Sequence, residues 1–130
     1  MPETHILLIE DDPMSRKLFG GWITKLGFEA IYAVNGVEGM ANARKFAPDL
    51  ILLDYHLPEV DGLEVAKRLK EFNETKNIPV IFLTNEDLSP DAQNGLKQIG
   101  VEYLHKGEDF IVFEERLRKA LDLSAPQASA

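Results

Sequence analysis

Five short apolar runs, each followed by a stretch with helical spacing, constrain this chain more than any other feature. The runs are Ile6–Ile9, Ala30–Ala33, Leu50–Leu53, Val80–Leu83 and Val101–Leu104. Parallel strands need a crossover long enough to hold a helix, so this alternation predicts a parallel α/β sheet built from five strand–helix units. Leu50–Leu53 is apolar on both faces, as a central parallel strand should be. The crossovers should be right-handed, with helices on both faces of the sheet.

The helix boundaries carry their own signals. Pro13 can open the first helix, with Asp11 or Asp12 as its cap. Met14, Leu18, Phe19, Trp22, Ile23 and Leu26 predict one apolar stripe, ended by Gly27. Gly20 and Gly21 sit inside that helix at a cost of roughly 1 kcal/mol each relative to Ala, which a close contact or a partner surface could explain. Asn35–Gly36 turns into a second helix through about Phe46. Further helices are predicted at about Leu63–Phe72, Asp91–Ile99 and Phe110–Leu121, the last with Phe113, Leu117, Ala120 and Leu121 inward. Residues 1–123 read as one domain and 124–130, which include "SAPQASA" after Leu123, as a tail or the start of a linker.

Composition excludes several classes. Lys plus Arg number 14 against 22 Asp plus Glu, a formal net charge of −8. Nucleic-acid binding needs phosphate-neutralising cations, so it is not expected. No apolar run approaches the roughly 18 residues of a membrane span, and the start lacks the basic region of a signal peptide. Cysteine is absent, which removes disulfides and Cys-based zinc sites. A cytoplasmic location is expected.

The predicted strand ends deliver polar groups to one edge of the sheet. "EDD" (Glu10, Asp11, Asp12) follows the first run, Asp54 the third, Thr84 the fourth and Lys106 the fifth. In open parallel sheets, ligands bind beyond the carboxyl ends of the strands. Carboxylates crowded there repel one another, and a hard cation such as Mg²⁺ relieves that repulsion; Mn²⁺ is also possible, while the carboxylate-rich set disfavours zinc. Lysine suits a phosphoryl oxygen, threonine adds a donor, and a carboxylate can become an acyl phosphate. This is equipment for phosphoryl transfer with Asp54 as the nucleophile.

With those residues in place, the sequence resembles a response-regulator receiver domain of two-component signalling, of the chemotaxis-type single-domain kind. The resemblance spans about Ile6 to Leu121. It rests on "LLIEDDP", "LILLDYHLPEVDG", "PVIFLT" and "YLHKG", in order and spacing. It implies a flavodoxin-like, doubly wound (βα)5 fold with strand order 2-1-3-4-5. It implies phosphorylation of Asp54 by the phosphohistidine of a histidine kinase or phosphotransfer protein. Mg²⁺ is implied near Glu10, Asp11, Asp54 and the main-chain carbonyl of His56, with Glu10 acting through water rather than directly. Thr84 and Lys106 are implied to contact the phosphoryl group, and Tyr103 to be an aromatic switch coupled to Thr84. The chain would then be a switch that assists its own phosphorylation and dephosphorylation, not an enzyme. Its expected partners are a kinase and an unidentified downstream protein, and its expected state is a monomer or weak dimer.

The residues also have plainer readings. Asp12 can serve only as a helix cap and Asp61 only as turn support. Outside this context Thr84 means nothing, Tyr103 is a half-buried strand residue and Lys106 a surface lysine. His5 should face solvent, and His105 should point away from Lys106 by strand alternation. His56 either reaches the phosphoryl group or a partner, or is a loop residue. Two positions depart from the family pattern. Gly107 stands where a cis-proline is usual, and because a non-proline cis bond costs roughly 3 kcal/mol, a trans loop of different shape is expected. Asn85 stands where a small residue is usual and could narrow access to Asp54.

Other functions fit less well. A phosphohydrolase with an aspartyl nucleophile of the haloacid-dehalogenase type wants an acid two residues on, where this chain has His56. A nucleotide or flavin carrier wants a Gly- or Ser/Thr-rich phosphate loop where "EDDPMS" stands. A phosphorylation-independent docking module on the same fold is the remaining alternative.

Overall fold

A computed structural model describes residues 3–124. The strands are β1 (His5–Ile9), β2 (Glu29–Ala33), β3 (Leu50–Asp54), β4 (Val80–Thr84) and β5 (Glu102–His105). The helices are α1 (Pro13–Lys25), α2 (Gly36–Phe46), α3 (Gly62–Glu71), α4 (Pro90–Gln98) and α5 (Phe110–Ser124). All strand pairs are parallel, in the order β2-β1-β3-β4-β5. Helix α5 runs to Ser124, three residues beyond its predicted end; from 125 on, the expected tail lies outside the described residues.

Two apolar layers sandwich the sheet, and strand alternation assigns residues to them. Ile6 and Leu8 of β1 join Leu50 and Leu52 of β3 against Phe19 and Ile23 of α1 and Phe113 and Leu117 of α5. Leu7 and Ile9 join Ile51 and Leu53 against Met40 of α2, Val65 and Leu69 of α3 and Leu96 of α4. Every residue of β3 is buried, as its double-sided apolar pattern requires.

The α1 stripe is narrower than predicted. Phe19 and Ile23 are buried and Trp22 and Leu26 pack beside them, but Met14 is 81% exposed and Leu18 48%. At about 100° per residue, Met14 and Leu18 lie roughly 140° and 100° around the helix axis from Phe19, off the buried arc. The two glycines of α1 also separate. A Cβ on Gly20 would collide with the Tyr32 ring, whereas one on Gly21 would meet nothing within 4 Å.

The order of strands reverses at β1, which Glu10 follows, and β3, which ends in Asp54. A ligand site is therefore expected at their carboxyl ends.

Candidate functional site

Asp54 is the last residue of β3 and Thr84 the last of β4, each one position inside the strand rather than beyond it. Lys106 immediately follows β5, and Glu10 immediately follows β1. Strand pairing thus brings together four polar groups that lie far apart in sequence. Glu10 and Thr84 are 0% exposed and Asp54 5%.

Lys106 Nζ donates to Glu10 Oε1 at 2.6 Å and lies 3.6 Å from Asp54 Oδ2. The His56 N–H donates to Asp54 Oδ1 (3.1 Å), and the Asp12 N–H to Glu10 Oε2 (3.3 Å). Thr84 Oγ1 accepts from the Glu86 N–H (3.1 Å). Glu10, Asp11 and Asp54 each offer one oxygen within 4.8 Å of the others, with Asp11 exposed at the opening.

The floor is over-supplied with negative charge. Burial, reinforced by the neighbouring Asp54 carboxyl and only partly opposed by Lys106, pushes the Glu10 carboxyl up from 4.5 to about 7. A proton on Glu10 is one way to relieve this crowding. A hard divalent cation held by the three carboxylates is another, and this all-oxygen donor set fits such an ion.

The loops fix the site's shape. Asp12 caps α1 by accepting from the Ser15 N–H (2.9 Å), which holds its carboxyl below the usual range; it is not among the three clustered carboxylates. Asp61 caps α3 through the Glu64 N–H (2.9 Å), as its turn reading predicted. A Cβ on Gly62 would strike the Asp54 carbonyl, so only glycine lets α3 start this close to β3. Tyr103 is half-buried on β5 and packs against the α2–α3–α4 layer. His5 is half-buried at the start of β1. The described residues contain no cis peptide, so the Lys106–Gly107 turn is trans, as expected once proline is absent.

Three features had no signal in the sequence. Arg16 of α1 donates to the carbonyls of Glu10 (2.9 Å) and Asp11 (3.3 Å), clamping the acidic turn. His56 Nε2 pairs with Glu86 Oε1 at 2.7 Å, linking the turn after Asp54 to the turn after Thr84. His105 does point away from Lys106, and its ring bonds the Asn85 carbonyl and the Gly107 N–H. The His56–Glu86 and His105–Asn85 contacts join residues 30 and 20 positions apart, whereas the Arg16 clamp and the His105–Gly107 bond are local.

Comparison with known proteins places this geometry. The family described as the response regulator receiver domain matches residues 6–121. The polar-differentiation response regulator DivK of Brucella anthropi is 39% identical over 122 residues, covering 93% of this chain and 98% of that protein. DivK of Brucella abortus (strain S19) is 38% identical over 117 residues, covering 89% and 94%. Among solved structures, Vibrio cholerae chemotaxis protein CheY4 superposes with a TM-score of 0.85 at 25% identity, covering 92% of this chain and 99% of that one. The receiver domain of the Pseudomonas aeruginosa sensor histidine kinase PA1611, with a magnesium ion coordinated in its active-site cleft, superposes with a TM-score of 0.83 at 26% identity, covering 92% and 98%. With the fold, the strand-end residues and the family match all in agreement, the chain belongs to the response-regulator receiver-domain family.

Proposed function

We propose that this protein is a phosphoryl-accepting switch in which Asp54 takes a phosphoryl group from the phosphohistidine of a histidine kinase or phosphotransfer protein. The observation that carries this reading is the gathering of Asp54, the Glu10 and Asp11 carboxylates and the Lys106 ammonium at the switch point of the sheet. Family membership and the magnesium in the Pseudomonas domain support it.

An Asp54 carboxylate oxygen attacks phosphorus, the P–N bond to the donor imidazole breaks, and the imidazole leaves neutral after regaining a proton. The result is an acyl phosphate. Asp54 is the nucleophile because the His56 N–H holds one oxygen while the other faces Lys106. Lys106 shifts charge toward the incoming phosphoryl oxygens, and the Thr84 hydroxyl offers a further donor. Mg²⁺, or Mn²⁺ in its place, would be held by Glu10, Asp11, Asp54 and the His56 carbonyl, Glu10 acting through water. It would neutralise phosphoryl charge during transfer.

The exposed Met14 and Leu18, with Ser15 between them, start α1 beside the acidic turn and form the surface a donor must pass. Output runs through Thr84 and Tyr103 to the α4–β5–α5 face. Recruitment of Thr84 to the phosphoryl group frees space beside β4, and the Tyr103 ring can fill it, giving a bistable element biased by local charge. A downstream protein reads that face. The protein acts in the cytoplasm as a monomer or weak dimer, with the receiver domain through the end of α5 as the functional unit. Among the described residues no helix is long and apolar enough to cross a membrane.

The test is incubation with Mg²⁺ and acetyl phosphate, followed by mass analysis of intact and digested protein. One phosphoryl group on Asp54 is expected, absent in Asp54→Asn and in chelator. Labelling that persists in Asp54→Asn overturns the assignment. Thr84→Ala should still accept the group but lose the amide-shift response of α4 and Tyr103 to beryllofluoride; an unchanged response removes Thr84 from the relay.

A further inference from the structure

The ends of β4 and β5 are joined by more than their ladder. The Lys106 N–H donates to the Thr84 carbonyl (2.8 Å), continuing the strand pairing. Beyond it, the His105 ring makes two further bonds. Its Nε2 lies 2.9 Å from the Asn85 carbonyl oxygen, and its Nδ1 lies 2.9 Å from the Gly107 N–H. A carbonyl can only accept, so Nε2 carries a proton. An amide N–H can only donate, so Nδ1 carries none. The two contacts together select the neutral Nε2–H tautomer.

Gly107 is the other half of the arrangement. A Cβ at this position would lie 2.9 Å from His105 Nδ1 and 3.1 Å from Cε1, so any larger residue displaces the ring. A proline there would have no N–H to give. His105 and Gly107 are matched to each other, and the ring they seat bridges the turn that follows Thr84 and the turn that contains Lys106.

We propose that His105 is a positioning residue for phosphoryl transfer, tying the Asn85 turn to the Lys106–Gly107 turn so that the Thr84 hydroxyl and the Lys106 ammonium stay in fixed relation over Asp54. This rests on the reading of Asp54 as the phosphoryl acceptor. The Thr84 hydroxyl is oriented from the Asn85 side, since Oγ1 accepts from the Glu86 N–H. The Lys106 side chain is rooted between the two residues of the clasp and reaches Glu10 and Asp54 from there. Transfer that depends on positioning loses up to about 10²-fold for a misplacement of about 1 Å.

The test is the rate constant for labelling by acetyl phosphate in saturating Mg²⁺. His105→Phe keeps the ring's shape and removes both bonds, and a drop of about tenfold is expected. His105→Asn, which retains an acceptor toward Gly107, should recover part of that loss. Gly107→Ala should slow labelling when His105 is present and have no effect in a His105→Ala background, because the ring it displaces is gone. Wild-type rates in His105→Phe, or an equal cost of Gly107→Ala in both backgrounds, overturn the proposal. Failure of the wild type itself to label strikes the assignment of Asp54 instead. Ring-nitrogen NMR of the unmodified protein tests the clasp independently of any variant's folding: His105 should show one fixed Nε2–H tautomer, and an averaged or Nδ1–H ring would refute it.

Discussion

Asp54 and Thr84 end two neighbouring strands and are 5% and 0% exposed; His56 and Glu86, each just two residues further along the chain, have side chains 63% and 58% exposed. Both pairs lie at the same edge of the sheet, and both sets contain charge. In the floor, Glu10, Asp54 and Lys106 meet out of water, where removing one partner leaves a charge with nowhere to go. On the rim, His56 and Glu86 meet in solvent, where water and salt replace whatever contact is lost. The same residue chemistry should therefore carry several-fold more energy two residues earlier in the chain.

The largest effect is expected at Lys106. Lys106→Met strips the cation from the Glu10 carboxylate and should cost about 3–5 kcal/mol at pH 8, measured by urea unfolding in chelator. Lys106 holds the Glu10 carboxyl down, so its loss raises that group further above 7. Protonation then relieves the variant, and the cost should shrink as pH falls toward 5. A pH-independent loss below 1 kcal/mol would place the floor in the same class as the rim.

Glu10 itself gives the next effect. Its folded value, about 7, stands above the ordinary 4.5, so the folded state holds the proton more tightly than the unfolded chain. The associated stability is fully present below about 4.5 and lost as pH rises through about 7, amounting to about 3 kcal/mol over that span. Glu10→Gln should remove this component, seen as a flatter difference curve in chelator. Asp54→Asn should move the midpoint down without restoring it to 4.5, because burial is the first cause and Asp54 only the second. A smaller loss, about 1–2 kcal/mol, is expected for Arg16→Met, which frees the Glu10 and Asp11 carbonyls. Calorimetric unfolding would check it, and an unchanged transition would show the clamp to be idle.

The floor was legible in the sequence and the rim was not, for a physical reason. Strand placement follows from apolar runs such as Leu50–Leu53, and whatever follows a run must appear at the sheet's edge. That logic located Asp54, Thr84, Lys106 and Glu10 without any knowledge of their partners. Every strand departs from its apolar run by one residue, since polar ends can still join the ladder. β1 and β2 start earlier, at His5 and Glu29, β3 and β4 end later, at Asp54 and Thr84, and β5 is shifted to Glu102–His105. On α1 the apolar residues do not form a single stripe, since Met14 and Leu18 lie off the buried arc. Gly20 and Gly21 looked equivalent, yet only Gly20 faces a neighbouring ring. The rim contacts of His56 with Glu86 and of His105 with Asn85 depend on which loops meet, and no local pattern encodes that.

The smallest effect should come from the rim pair. His56 Nε2 and Glu86 Oε1 are 2.7 Å apart, a short contact that looks strong. Both side chains are more than half exposed, and exposed pairs usually contribute about 0–1 kcal/mol. Stability should therefore change by less than about 1 kcal/mol in Glu86→Gln, and the remaining effect should fade in high salt. Its kinetic role can differ from its energetic one, because the pair links the turns that follow Asp54 and Thr84. Opening it should change acetyl phosphate labelling by only a few-fold, corresponding to less than about 1 kcal/mol of barrier at 1.36 kcal/mol per decade. The useful control is the double variant His56→Asn with Glu86→Gln. If the pair acts as a unit, the double variant should match either single one in both stability and rate. A stability loss of 2 kcal/mol or more in Glu86→Gln would show that exposure is a poor guide here, and the contrast between floor and rim would have to be redrawn around contact distance instead.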